Sequence, residues 1–301
     1  MNLLITGAWQ QAKEYIPTIE SKGHQVQFLQ FERDELPCEY EWVEGIIGNG
    51  IFLSHPIEKF VNLKYIQLTS AGFDRVPMEY VKEHGIEIHN AKGVYSIPMA
   101  EFAVAGVMEL YKKMRFFHEN QKKHNWEKHR GLLELFGKTV VIVGCGDVGT
   151  ECAKRFRAFG CTVIGVNRTV RKNEVFDRIV PLSDIETVLP EADLVVLTVA
   201  LTEETRHLMN AKRLKLLKGS AILVNIARGG IIDTNALIDC LPNIGGAVLD
   251  VFEEEPLTTD SPLWDMENVI ITPHNSFVGD GNHNRLHKLI LEKLEKIESN
   301  F

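Results

Sequence analysis

The sequence predicts an α/β protein of two domains, the larger built on a doubly wound parallel sheet. Three observations predict it. At 301 residues the chain exceeds what one typical core supports. Short runs of branched apolar residues alternate with helical periodicity along nearly all of it, as βαβ units require. One such run, Thr139-Val140-Val141-Ile142-Val143, leads straight into Gly144-Cys145-Gly146-Asp147-Val148-Gly149 and then into a helix.

Five branched residues in succession suit a strand covered on both faces. The glycines keep the G-x-G-x-x-G spacing, and each has a physical task. Gly144 permits the tight turn, Gly146 lets the backbone touch a pyrophosphate, and Gly149 lets helix and strand pack closely. The helix, with Val148, Cys152, Ala153 and Phe156 on one side, would aim its free N–H groups and positive dipole end at that phosphate. Gly160 caps it, and Cys161 to Val166 is the next strand. A glycine triplet alone is also a plain structural turn; strand, turn, helix and strand in order favour a dinucleotide site.

The opening region alternates in the same way. Asn2 to Thr6 reads as a strand, Gln10 to Ser21 as a helix, and Gln25 to Leu29 as a strand. Gly45-Ile46-Ile47 leads into the turn Gly48-Asn49-Gly50, and Tyr65 to Leu68 into Thr69-Ser70-Ala71-Gly72. Ile86 to His89 is a last short strand. Small-residue loops after strand ends are where open α/β sheets take ligands, although each alone is ordinary turn chemistry. A buried helix starts near Pro98, tolerated in a first turn, and the polar segment Lys112 to His129 reads as a connector. Further strands are expected at Asp177 to Val180, Asp193 to Val199, Ala221 to Asn225, Gly246 to Val251 and Asn268 to Thr272. Helices are expected at Ile185 to Leu189, Ala211 to Leu217 and Thr234 to Cys240. The tail, Asn282 to Glu298, carries Leu286, Leu289, Ile290, Leu294 and Ile297 on one face and should pack back on the opening domain.

Composition bounds the function. Apolar content of 45% and charged content of 25% are those of a soluble globular protein. A net charge of −8 and a pI near 5.8, without a dense basic run, argue against a nucleic-acid surface. No apolar run is long enough to cross a bilayer, and the N-terminus reads as a first strand rather than a signal peptide. The five cysteines, Cys38, Cys145, Cys152, Cys161 and Cys240, are scattered and mostly inside apolar segments. They fit reduced thiols in a cytoplasmic protein, and no metal-ligand spacing emerges.

Three clusters at later strand ends add chemistry: Val224-Asn225-Ile226-Ala227-Arg228-Gly229-Gly230, Leu249-Asp250-Val251-Phe252-Glu253-Glu254-Glu255-Pro256-Leu257, and Ile271-Thr272-Pro273-His274. With the glycine motif they make the chain resemble the D-isomer-specific 2-hydroxyacid dehydrogenase family, of the glyoxylate/hydroxypyruvate reductase or phosphoglycerate dehydrogenase kind. Leu68-Thr69-Ser70-Ala71-Gly72-Phe73-Asp74 resembles the family's substrate-carboxylate loop. Gly85 to Asn90, through Ala100-Glu101, resembles its crossover between domains.

The resemblance implies a Rossmann-type cofactor domain over residues 98–280. It implies a smaller, discontinuous, flavodoxin-like substrate domain formed by 1–97 and the helix 281–301, with the active site in the cleft and hinge closure excluding water. It implies that Arg228, Glu255 and His274 act together, on a small 2-oxo or 2-hydroxy acid, with a homodimer as the assembly. The residue types suit the chemistry. A guanidinium offers a planar fork to carboxylate and carbonyl. An imidazole gives or takes a proton near neutral pH, and a carboxylate beside it stabilises its charged form and fixes its tautomer. Asn49, Ser70, Ala71 and Gly72 would bind substrate. Gly144, Gly146, Asp147, Val148, Gly149, Asn167, Arg168, Thr169, Val199, Ala200, Thr205, Ile226, Ala227 and Asp250 would bind the cofactor, Asp250 facing the nicotinamide amide. Each catalytic candidate also has a plainer reading: a turn arginine, a wet acidic run, a loop histidine.

Departures from the family pattern sharpen the expectation. The acid expected about twenty positions past the glycines, for ribose hydroxyls, is replaced by Asn167, followed by Arg168 and Thr169 with Arg171 and Lys172 nearby. A guanidinium there welcomes a 2′-phosphate, which predicts NADP over NAD. Ala200 stands where a proline is usual, and Asn275-Ser276-Phe277 follows His274. No cation for a substrate phosphate stands out in the Gly48 and Thr69 loops except Arg75, so a small acid such as glyoxylate or hydroxypyruvate is preferred. The competing reading is a dinucleotide-binding regulator or co-repressor on the same fold with little catalysis.

Overall fold

The computed structural model describes residues 1–298 and divides the chain into two compact units, Met1–Tyr95 with the segment from Gly279 onward, and Ser96–Val278. The first unit opens with β1 (Asn2–Thr6), α1 (Ala12–Ser21), β2 (Gln25–Leu29), β3 (Gly45–Gly48), β4 (Tyr65–Leu68), α2 (Met78–Glu83) and β5 (Glu87–His89). The strands pair in parallel in the order β2-β1-β3-β4-β5. Because side chains alternate across a strand, neighbours on β1 serve different cores. Leu3 and Ile5 pack with Trp9, Ile19 and Tyr65, whereas Leu4 packs with Ile46, Ile66 and Val81. The short helix α2 carries no periodic signal long enough to announce it.

The second unit comprises α3 (Ser96–Tyr111), α4 (Met114–Lys122), β6 (Thr139–Val143), α5 (Asp147–Ala158), β7 (Thr162–Asn167), β8 (Arg178–Pro181), α6 (Ile185–Val188), β9 (Leu194–Leu197), α7 (Ala211–Leu214), β10 (Ile222–Asn225), α8 (Thr234–Cys240), β11 (Gly246–Leu249) and β12 (Val269–Ile271). Its seven parallel strands run β12-β11-β10-β9-β6-β7-β8. On β6, Val141 and Val143 enter one core and Val140 and Ile142 the other, the double burial that its branched run predicts. Gly106 lets α3 lie against the sheet: a Cβ there would come within 2.6 Å of Val248 Cγ1. The segment expected to be a connector contains α4, set off from α3 by Lys113 in the left-handed region (φ 50°). Only Asn120 of this helix is buried, and its residues are polar on average, as a connector's would be.

The last helix, α9 (Asn282–Glu298), belongs to the first unit and buries Leu286, Ile290 and Leu294 in the core of Leu3, Ile5 and Trp9. Arg285 Nε donates to Val94 O at 2.7 Å, tying its first turn to the chain before α3. The side chain of Ile297, expected on the same face, lies outside the described residues.

Candidate active site

In the larger sheet β6 and β9 are neighbours, and the strand order reverses between them. That switch point leaves a crevice at the carboxyl ends of the strands, where such sheets take ligands. The glycine turn sits there. Gly144 has φ +104°, and a Cβ on it would approach Thr198 C and Val199 N to 2.8 Å. Thr198 Oγ1 donates to Gly144 O at 2.7 Å, pinning the turn to the end of β9. A Cβ at Gly149 would meet Gly144 O at 1.9 Å, so α5 packs as closely as the spacing predicts. Gly146, by contrast, faces open space, with nothing within 4 Å of a Cβ. Asp147 and Val148 begin α5 behind it. Two glycines are thus required by the protein itself, and the third keeps a cradle clear. The cradle fits a dinucleotide pyrophosphate.

Beside it lies a cavity of about 700 Å³ whose walls include Cys145, Asn167, Thr169, Arg171, Lys172 and Glu174. Asn167 ends β7; its Oδ1 accepts from Cys145 N at 3.5 Å and its Nδ2 donates to Thr169 O at 2.9 Å. Arg168, Thr169, Arg171 and Lys172 are exposed. Burial pushes the Cys145 thiol up to about 11. After β9, Val199 is half-buried and Ala200 exposed. The Thr205 hydroxyl is occupied in shaping this turn, donating to Ala200 O and accepting from Thr202 N, both at 2.7 Å.

The ends of β10, β11 and β12 carry the other candidates. After β10, Ile226 and Ala227 are buried. Asn225 folds the loop back, accepting from Ala227 N at 3.1 Å and donating to Arg228 O at 3.0 Å. Arg228 is half-buried, with Nη1 donating to Ala227 O at 2.7 Å. The next residue must be glycine, because a Cβ on Gly229 would come within 1.8 Å of Phe252 C. The Arg228 loop therefore abuts the loop that follows β11. In that loop Glu255 Oε1 accepts from Phe252 N at 3.0 Å, and Oε2 pairs with His274 Nδ1 at 2.8 Å. The pair is partly open to solvent, with side-chain exposures of 41% for His274 and 37% for Glu255, so a substrate can reach it. With Nδ1 engaged, Nε2 is the atom left to exchange a proton.

Asp250 organises the same corner. Fully buried, it accepts from Thr272 Oγ1 (2.6 Å), Asn275 N (2.7 Å) and Ser276 N (2.9 Å), while its carbonyl accepts from His274 N (2.8 Å). His274 itself has φ +51°, an uncommon conformation of the kind that collects at functional sites. Phe277 stands edge-on to His274, ring centroids 6.3 Å apart. Glu253 corrects the reading of the acidic run as a wet surface. It accepts from Thr234 N at 2.8 Å and pairs with His207 Nε2 at 2.6 Å. Burial alone would raise this carboxyl, but the bonds from Thr234 and His207 hold it below its usual range.

In the first unit, the loops after β3 and β4 are neighbours, with Thr69 N donating to Gly48 O at 2.8 Å. Ser70 Oγ donates to Gly72 O at 3.1 Å, and Asn90 Nδ2 to Ala71 O at 2.6 Å. Among the described residues the backbone N–H groups of Ser70, Ala71 and Gly72 make no hydrogen bond. The N–H of Asn49 is taken by Glu32, at 2.6 Å. Nothing in the sequence marks Glu32, which sits in the polar stretch Phe31 to Glu35.

A glycine turn that fits a phosphate at a switch point, with a carboxylate-held imidazole on the same row of strand ends, is an arrangement that a nicotinamide-dependent dehydrogenase can use. The comparisons with known proteins narrow the class. Residues 104–276 match the family model described as D-isomer specific 2-hydroxyacid dehydrogenase, NAD binding domain. The chain belongs to the D-isomer specific 2-hydroxyacid dehydrogenase family. It is 35% identical over 259 residues to a glyoxylate reductase of Pyrococcus horikoshii, covering 80% of this chain and 77% of that protein. It is also 35% identical over 245 residues to a D-3-phosphoglycerate dehydrogenase of Methanocaldococcus jannaschii, again across 80% of this chain; there it spans about half the relative, 47% of its length. Among solved structures it resembles a D-isomer specific 2-hydroxyacid dehydrogenase from Xanthobacter autotrophicus in complex with NADPH and MES. That likeness has a TM-score of 0.78 and 28% identity, and covers 99% of this chain and 95% of that one. The protein is therefore an oxidoreductase of 2-hydroxy acids that uses a nicotinamide dinucleotide. Among the described residues no helix is long and apolar enough to cross a membrane. No group of three or more His, Cys, Asp or Glu among them could hold a metal ion.

Proposed function

We propose that this protein reduces a small 2-oxo acid, glyoxylate or hydroxypyruvate in type, to the D-2-hydroxy acid, with NADPH preferred over NADH. The observation that carries the reading is the His274–Glu255 pair at 2.8 Å, on a loop held in the left-handed region at His274. The cofactor, when bound, supplies the two-electron reduction. His274 gives its Nε2 proton to the developing alkoxide, and Glu255 fixes the tautomer and balances the imidazolium. Arg228 polarises the carbonyl and grips the carboxylate. The N–H groups of Ser70, Ala71 and Gly72, which make no hydrogen bond among the described residues, offer donors to a carboxylate. Asp250 holds the His274 loop through Thr272 Oγ1, Asn275 N and Ser276 N.

The NADP preference rests on Arg168, Thr169, Arg171 and Lys172 standing exposed at the end of β7 beside Asn167, where a carboxylate would repel a 2′-phosphate. A homodimer through the cofactor unit is supported by the apolar side chains exposed on one stretch, Trp126 (96%) and Phe136 (78%) with Leu132 and Leu133. Five unpaired cysteines suit a reducing cytoplasm. A panel of glyoxylate, hydroxypyruvate, pyruvate and longer 2-oxo acids, each with NADPH and NADH, tests the reading. The expected result is fastest turnover of a two- or three-carbon acid with NADPH. Arg168→Ala should raise the KM for NADPH roughly tenfold or more while sparing NADH, as loss of a charge-assisted bond predicts. Equal effects on both cofactors would discard the preference.

A further inference from the structure

The smaller sheet has its own switch point, between β1 and β3, and in this protein it is already filled. Glu32, just past the end of β2, reaches across it. Its Oε1 accepts from Asn49 N (2.6 Å) and Thr6 Oγ1 (2.8 Å), and its Oε2 accepts from Gly50 N (2.7 Å). Consecutive backbone N–H groups of this kind form a concavity that binds anions. Here the anion is a side chain of the protein. The corner also holds Asn49 Oδ1, a buried acceptor that receives no hydrogen bond among the described residues. Arg75 runs alongside, its Cδ 3.4 Å from where a Gly50 Cβ would stand, but it makes no ion pair with Glu32 among the described residues. The loop that carries Asn49 adjoins the Thr69–Gly72 loop through the bond from Thr69 N to Gly48 O.

We propose that Glu32 is a specificity-determining residue that excludes 2-oxo acids bearing a second anionic group and favours those whose distal substituent is uncharged or a hydroxyl. This rests on the reading that the Gly48 and Thr69 loops take the substrate. A phosphate or distal carboxylate would find both amides occupied and a carboxylate within about 5 Å, which disfavours it on the order of a hundredfold per unit charge at an effective dielectric near 20. A hydroxyl supplies the donor that Glu32 and Asn49 Oδ1 can accept. The two alternatives differ by one group in hydroxypyruvate and its 3-phosphate ester.

The test is the ratio of kcat/KM for 3-phosphohydroxypyruvate to that for hydroxypyruvate, so that each variant supplies its own reference. The wild type should show a ratio below about 0.01. Glu32→Ala should raise it at least tenfold, and Glu32→Gln, which fills the corner without the charge, by less. A wild type that reduces the two substrates comparably overturns the proposal without any variant, as does an unchanged ratio in folded Glu32→Ala. Calorimetric titration with inorganic phosphate provides a readout independent of turnover. Binding to Glu32→Ala but not to the wild type is expected, and equal behaviour of the two would count against the assignment. Should no 2-oxo acid be turned over, the proposed reaction fails, and the phosphate titration still decides whether Glu32 blocks an anion site.

Discussion

His274 and Glu255 lie nineteen residues apart in sequence, yet Nδ1 of one and Oε2 of the other are joined at 2.8 Å. Both sit on loops that leave parallel strands, and neither depends on a flexible arm. Glu255 is anchored by Phe252 N, and His274 by its backbone bond to Asp250 O. An imidazole and the carboxylate paired with it are thus held by the loops of one sheet. Removing His274 should therefore remove proton transfer and little else. His274→Ala is expected to lower kcat by roughly 10²- to 10⁴-fold while the Kd for NADPH stays within about threefold. Glu255→Gln should lower kcat less, and Arg228→Lys should lower kcat/KM through loss of the fork. Fluorescence titration of the cofactor alongside steady-state kinetics separates these effects; a His274→Ala enzyme with intact kcat would refute the proton-transfer role.

The glycine turn predicts two outcomes from one chemical change. Gly146→Ala adds a methyl group into space with no protein atom within 4 Å, so the thermal midpoint should hardly move while dinucleotide affinity falls sharply. Gly149→Ala adds the same group 1.9 Å from Gly144 O, where only a shift of α5 can accommodate it. That variant should lose stability of the order of 1–3 kcal/mol, the cost of overpacking. Melting curves and cofactor titrations on both proteins check the pair. Similar melting losses in the two would contradict the assignment of Gly146 to the ligand.

His287 predicts a pH dependence. It is 4% exposed on α9, edge-on to Trp9 and Tyr15, and neither ring nitrogen has a hydrogen-bond partner among the described residues. Burial holds its pKa down, His283 adds to this, and Glu14 opposes it weakly. The sign follows from linkage: below about pH 6.5 the unfolded histidine takes a proton that the folded one refuses. The stability of the neutral, packed ring is therefore complete above that pH and is lost as pH falls through the depressed folded value. Hydrogen exchange in α9 should accelerate between pH 7 and pH 5 in the wild type. The acceleration should be smaller in His287→Phe, which keeps the ring and removes the titration; an identical pH response would exclude His287 as its source.

The alternation of elements, the double burial of β6 and the tasks of Gly144 and Gly149 were legible in the sequence because they are local. A branched run has one comfortable backbone, Gly144 turns the chain at φ +104°, and a Cβ on Gly149 would meet Gly144 O five residues back in the same turn. The family, too, was legible, since its motifs keep their order along the chain. The helix α4 was not, because its residues are polar on average and gain little burial.

What the sequence by itself determined is thus the class of sheet, the dinucleotide turn and the three candidate residues at later strand ends. Only the tertiary structure decided what Glu253 and Glu32 do, and supplied the contact behind Glu255. Glu253 clamps Thr234 and His207, Glu255 holds His274, and Glu32 closes the amides of Asn49 and Gly50. The physical reason is that a carboxylate's role is fixed by the donors that face it. In a parallel sheet those donors come from crossovers far away in the chain, so no local pattern records them.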